Sequence, residues 1–194
     1  SSNEQSQEYV KLINIANSYV SQNSFDKAIK ALKRAIKLAP NNPKAWRLLA
    51  LFLAQNSDFS TSTKAYNKVI KLGTTDKRVY TELAAVYEMA KNYRGAIDTY
   101  NKYLAIAPDD LEMNHELAMT YILAKKIPQA IVKLDKLHKK YPKNEMITQD
   151  LAYALCRNDK HSKAIALFTS IYSDKTNKTM PHELLLDVIS TMHD

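Results

Sequence analysis

Glycine is nearly missing from this chain, which has only Gly73 and Gly95. A loop that cradles phosphate needs several glycines close together, so nucleotide binding of that kind is excluded. Cysteine is scarcer: Cys156 stands alone, which excludes an internal disulfide. The five histidines, His115, His138, His161, His182 and His193, are scattered, and none has a second ligand at zinc spacing. Cys156 has Arg157 beside it but no histidine base nearby in sequence, so it reads as a structural thiol rather than a nucleophile. The expectation is a protein without metal, cofactor or enzymatic activity. No run of eighteen apolar residues occurs, so no membrane-spanning helix is expected.

What the chain does have is a period. A small residue returns every thirty-four positions, at Ala16, Ala50, Ala84, Ala118 and Ala152, and a second set keeps the same step at Ala28, Ser62, Ala96, Ala130 and Ala164. Large apolar residues stand around them at helical spacing. In the third block Tyr80, Leu83, Ala84 and Tyr87 make one stripe, and Ala96, Ile97, Tyr100 and Leu104 make another. Between the stripes, residues 91–95 read as a polar turn. Each block is therefore a helical hairpin with its small residues at the helix crossing, where a larger side chain would force the backbones apart. Pro40, Thr74, Pro108, Pro142 and Thr176 close the blocks. Proline cannot continue a helix, so it stops the second one.

This pattern resembles the tetratricopeptide repeat over residues 9–178: a bulky residue, leucine, a small residue, tyrosine, then small, aromatic, proline. Blocks 9–42, 43–76, 77–110, 111–144 and 145–178 follow one another without insertion. Asn114 and Thr148 depart from the pattern by replacing the first bulky residue, and alanine replaces the usual glycine of the first small site. The resemblance implies an all-α, right-handed superhelix of five hairpins, with first helices lining the concave side and second helices forming the back. Residues 1–8 are expected as a flexible lead and 179–194 as a C-terminal capping helix. The apolar residues of that helix wrap more than one side, so contact with a second copy of the chain is one expectation for it.

If first helices line a groove, their non-core places face it. Blocks two to five then offer Lys44, Arg47, Leu48, Leu51, Arg78, Glu82, Ala85, Glu88, Met89, Glu112, His115, Glu116, Met119, Ile122, Leu123, Gln149, Asp150 and Tyr153. The charges run from basic at Lys44, Arg47 and Arg78 to acidic beyond them, over an apolar floor. An apolar strip rimmed by charge suits an extended or helical peptide with apolar anchors and some Lys or Arg. The heat-shock carboxylate clamp of one tetratricopeptide subclass is not expected. Of its five positions, read here at Ile13, Asn17, Leu51, Thr81 and Ala85, only Asn17 matches.

The net charge of +8 is uneven. The second-helix windows 23–40, 57–74, 91–108, 125–142 and 159–176 hold 20 of the 28 Lys and Arg but 6 of the 20 Asp and Glu. One reading is a solvated lysine face whose stems cover apolar surface. The other is a surface for nucleic acid or anionic membrane. Lysine rather than arginine, with most tyrosines on core stripes, favours the first. The function expected is a non-catalytic adaptor or scaffold that holds a protein segment in its groove. The alternatives are docking of the basic back on a polyanion and self-assembly through the terminal helix. A cytoplasmic location is expected, with a removed signal or anchor as the alternative, because the chain opens at Ser1 rather than methionine.

Overall fold

A computed structural model describes residues 1–172. Among them are ten helices and no strand: α1 Ser2–Ser21, α2 Phe25–Leu38, α3 Pro43–Gln55, α4 Phe59–Lys71, α5 Lys77–Met89, α6 Tyr93–Ile106, α7 Leu111–Leu123, α8 Ile127–Lys140, α9 Glu145–Arg157 and α10 His161–Tyr172. Each expected block supplies two. The chain divides after Thr99 into two compact units. The expected terminal helix, the contact between copies assigned to it and Thr176 lie outside the described residues.

The polar opening, read from sequence as a flexible lead, forms the first turns of α1. The Ser1 hydroxyl accepts from the Glu4 amide at 3.3 Å, and the Glu4 carboxylate accepts from the Ser1 ammonium at 3.1 Å. This reciprocal cap satisfies donors that a helix start otherwise leaves open.

All ten periodic small residues are sealed from solvent. Ala16, Ala28, Ala50, Ser62, Ala84, Ala96, Ala118, Ala130, Ala152 and Ala164 are each 0% exposed. Ser62 shows how tight the crossing is: its hydroxyl donates at 2.7 Å to the carbonyl of Ala50, the small residue of the facing helix. Two more buried rows keep the same step and escaped the sequence reading. Ala45, Val79, Met113 and Ile147 form one, and Phe52, Val86, Thr120 and Ala154 the other. In block one the matching places are Lys11 and Ser18, both exposed. First helices α3, α5 and α9 pack on the second helices α2, α4 and α8 of the blocks before them. The rows are buried where a preceding hairpin exists to cover them.

The turns inside the hairpins repeat as strictly. Asn23, Ser57, Lys91, Lys125 and Asp159, thirty-four apart, all have φ between 57° and 61°. Each ends its helix the same way. In block two the Ser57 amide donates to the Ala54 carbonyl at 3.0 Å, and the Asp58 amide donates to the Leu53 carbonyl at 2.8 Å. This is the Schellman closure, in which glycine is the usual left-handed residue. The third turn is shorter than the expected 91–95, because α6 starts at Tyr93 and Gly95 lies in its first turn. There a Cβ would come within 2.6 Å of the Tyr87 ring, so glycine lets the helix approach that face. At the same place in block one the Lys27 ammonium lies 5.7 Å from the centre of the Tyr19 ring.

First helices begin on side-chain caps. Asn42, Asp76, Asp110 and Asn144 each accept from an amide of the first turn. A second tie explains one sequence departure. Trp46 donates its indole N–H to the Pro40 carbonyl at 2.8 Å, and Tyr80 donates its hydroxyl to the Thr74 carbonyl at 3.0 Å. Asn114 donates its amide to the Pro108 carbonyl, also at 3.0 Å. Each donor reaches back six residues to the closure of the preceding block. Asn114 gives up bulk and keeps the bond. Thr148 instead donates to the Asn144 carbonyl at 2.9 Å and lies 3.2 Å from His138 Nδ1.

Two stability measurements follow. Ala84→Leu overfills a sealed crossing, so its unfolding free energy should fall by about 1–3 kcal/mol in urea titration. Lys125→Gly relieves a left-handed backbone that costs a non-glycine residue about 1–2 kcal/mol, partly offset by glycine's entropy. Its unfolding midpoint should rise.

Candidate functional site

The residues expected to line a groove fall into two groups, one in each compact unit. In the first unit α3 carries Lys44, Arg47, Leu48 and Leu51, and α5 carries Arg78, Glu82, Ala85, Glu88 and Met89. Leu48 and Leu51 are half-buried, while Ala85 and Met89 are exposed, Met89 by 55%. In the second unit α7 carries Glu112, His115, Glu116, Met119, Ile122 and Leu123, and α9 carries Gln149, Asp150 and Tyr153. Met119 and Ile122 rest against the core built around Leu134, Leu151 and Phe168, whereas Leu123 is 56% exposed.

The charged members do not all wait for a ligand. Arg47 grips Glu82 with two bonds, Nε to Oε2 at 3.1 Å and Nη2 to Oε1 at 2.5 Å, and both side chains are about three-quarters covered. The second unit repeats the device: His115 Nδ1 pairs with the Asp150 carboxylate, which is 9% exposed as a residue. In both cases the fifth residue of one block meets the sixth of the next. Consecutive first helices are thus pinned by opposite charges thirty-five residues apart. Arg78 turns back instead to Asp76, 2.9 Å from Nη2 to Oδ2, and the same carboxylate caps α5. Cys156 is buried at 1% exposure, in keeping with a structural thiol.

A pocket of about 360 Å³ stays open beside α3 in the first unit. Pro43, Lys44, Arg47 and Leu48 of α3 form one wall. Val69, Thr74, Asp76 and Val79 close the other. Its floor is aliphatic and its rim carries both signs of charge. The sequence reading found Lys44, Arg47 and Leu48. It missed Asp76, Val69 and Val79, although the buried row through Val79 was there as a period.

The His115 imidazole is held above the ordinary value of about 6.5, first by its hydrogen bond to Asp150, then by the charges of Asp150, Glu116 and Glu112, with burial opposing. Raised binding of a proton in the folded state stabilises it below the ordinary value, and that stability is lost as pH rises through the raised one. As pH rises from the ordinary imidazole value through the raised one, the unfolding midpoint of the wild-type protein should fall. His115→Gln should flatten that slope in denaturation followed by circular dichroism.

Comparison with known proteins rests on this geometry. A family model described as TPR repeat matches residues 16–57, and one described as tetratricopeptide repeat matches 116–144. No curated protein matches in sequence. Among solved structures, a tetratricopeptide repeat protein from Parabacteroides merdae ATCC 43184 aligns with TM-score 0.72 at 18% identity, over 96% of this chain and 74% of its own. YrrB, described as a TPR protein with an unusual peptide-binding site, aligns at 0.65 and 14%, over 96% and 95%. MamA from Desulfovibrio magneticus RS-1, in a form running from residue 41 to its end, aligns at 0.62 and 22%, over 86% and 94%. Repeat length, sealed crossings, family motifs and shared fold agree: the chain carries tetratricopeptide repeats, matched at residues 16–57 and 116–144, and has the fold of tetratricopeptide-repeat structures.

Proposed function

We propose that this chain is a non-catalytic interaction scaffold that holds a peptide segment of a partner protein on its first helices. The observation that carries the reading is the pocket beside Lys44, Arg47 and Leu48. It is large enough for one apolar side chain, its floor is Leu48, Val69 and Val79, and Met89 lies exposed on the neighbouring helix. A flexible thioether adapts to partners of varied shape. Asp76, although paired with Arg78, lies at the rim and favours a lysine or arginine next to the anchor, while Lys44 suits the carbonyls or an acidic group on its other side. YrrB, whose fold is similar, is described as having a peptide-binding site, which agrees with this use of the fold.

The ion pairs restrict how the reading can be tested. Charge reversal at Glu82 or Asp150 would break a contact between helices as well as a binding surface. Leu48→Gln is cleaner, since it keeps the volume and spoils the apolar floor. Peptides selected by display on the wild-type protein should carry an apolar anchor with a basic neighbour. Their affinity for Leu48→Gln should drop by about tenfold or more, in line with burial of one apolar side chain. Unchanged affinity, or binding abolished by Lys125→Glu with Lys126→Glu and untouched by Leu48→Gln, would reject the first-helix site in favour of a polyanion on the basic face.

A further inference from the structure

An open cavity of about 600 Å³ lies in the second unit, between Asn101 of α6 and the helices α7 and α8. One side of α8 lines it through Pro128, Gln129, Val132, Lys133 and Lys136, and α7 adds Leu117 and Tyr121. On α8 they recur at spacings of three and four residues, which keeps them on one side of the helix. Val132 is 64% exposed at the mouth, an unusual place for a β-branched aliphatic residue.

The charge of this pocket is uncompensated. Block four holds the densest lysine run, and two nearby acids serve other lysines: Asp135 pairs with Lys139 at 2.9 Å, and Asp109 of the preceding block with Lys140 at 2.5 Å. Among the described residues no carboxylate lies within ion-pair distance of Lys133 or Lys136. Lys133 is half-buried, and burial, followed by the charge of Lys136, pushes its ammonium below the ordinary lysine value. A recessed ammonium beside a second one is relieved by an incoming carboxylate. At the start of α8 the N-cap residue Lys126 supplies no side-chain acceptor, so the positive end of the helix adds to the same field.

We infer that the pocket between α6, α7 and α8 is a second docking site, for an acidic peptide segment that carries an apolar side chain between its carboxylates. Leu117, Pro128 and Val132 make the apolar wall, Lys133 and Lys136 receive the carboxylates, and the amides of Asn101 and Gln129 suit a peptide backbone. A duplex or a bilayer is a flat or convex polyanion and reads a field of protruding cations. Here the central lysine is recessed among aliphatic groups. This site is separate from the pocket beside Leu48 and does not depend on it.

The test is an amide-resolved NMR titration of the full chain with a capped peptide of two glutamates, one leucine and two glutamates. Its glutamine counterpart, a heparin fragment and phosphatidylglycerol vesicles serve as the other probes. The expected result is saturable shifts centred on Gln129, Val132 and Tyr121, at least tenfold weaker for the glutamine peptide and for Lys133→Gln, and retained by Lys133→Arg. Lys136→Gln, at an exposed helical place, should weaken binding as well and carries the comparison if Lys133→Gln fails to fold. Equal binding of the neutral peptide, shifts on another face, or affinity unmoved by either glutamine variant would overturn the assignment. So would binding of heparin or vesicles through these lysines with none of the acidic peptide.

Discussion

Two helices can lie against each other this closely only where nothing larger than a methyl or hydroxymethyl group stands between their backbones. Ten such groups, all without solvent exposure, recur through the described chain at one fixed interval. Close packing at the crossing sets which side chains can turn outward. It puts the fifth residue of one first helix beside the sixth of the next, and it leaves the shallow pockets where neighbouring hairpins part. The ion pairs, the left-handed turns and both candidate docking sites rest on that approach.

The hairpins were legible because a crossing here holds nothing larger than alanine or serine, so a small residue returns at each step. The second set of buried rows was not legible on the same terms. Ala45, Val79, Met113 and Ile147 differ in size because each fills a different gap against the hairpin before it. The turns hid for a related reason: asparagine, serine, lysine, lysine and aspartate share no side-chain chemistry, and their common φ is imposed by the closure around them. Asn114 looked like a defect in the motif until its bond to the Pro108 carbonyl was on view.

The candidate site was legible in its location and less so in its electrostatics. Reading first-helix charges as ligand contacts ignores the neighbour one repeat away, which competes for them at shorter range. Arg47 with Glu82, and His115 with Asp150, satisfy each other before any partner arrives. Opposite signs thirty-five residues apart are visible in the sequence and could have signalled the pairing. The lysines of the second helices divide in the same manner. Some cover aromatic faces, as Lys68 does over Trp46, 5.8 Å from the ring centre, and some pair with acids. Lys133 and Lys136 do neither and line a pocket, Lys133 half-buried in it, which sets them apart from the solvated remainder.

Trp46, whose indole N–H is tied to the Pro40 carbonyl, is the chain's single tryptophan and belongs to the first unit. Its emission therefore reports on that half alone, while backbone dichroism sums over every helix. Melting curves recorded both ways separate the two halves without any label: coincident curves mean the repeats unfold as one body, and displaced curves mean that cooperation stops partway along the chain.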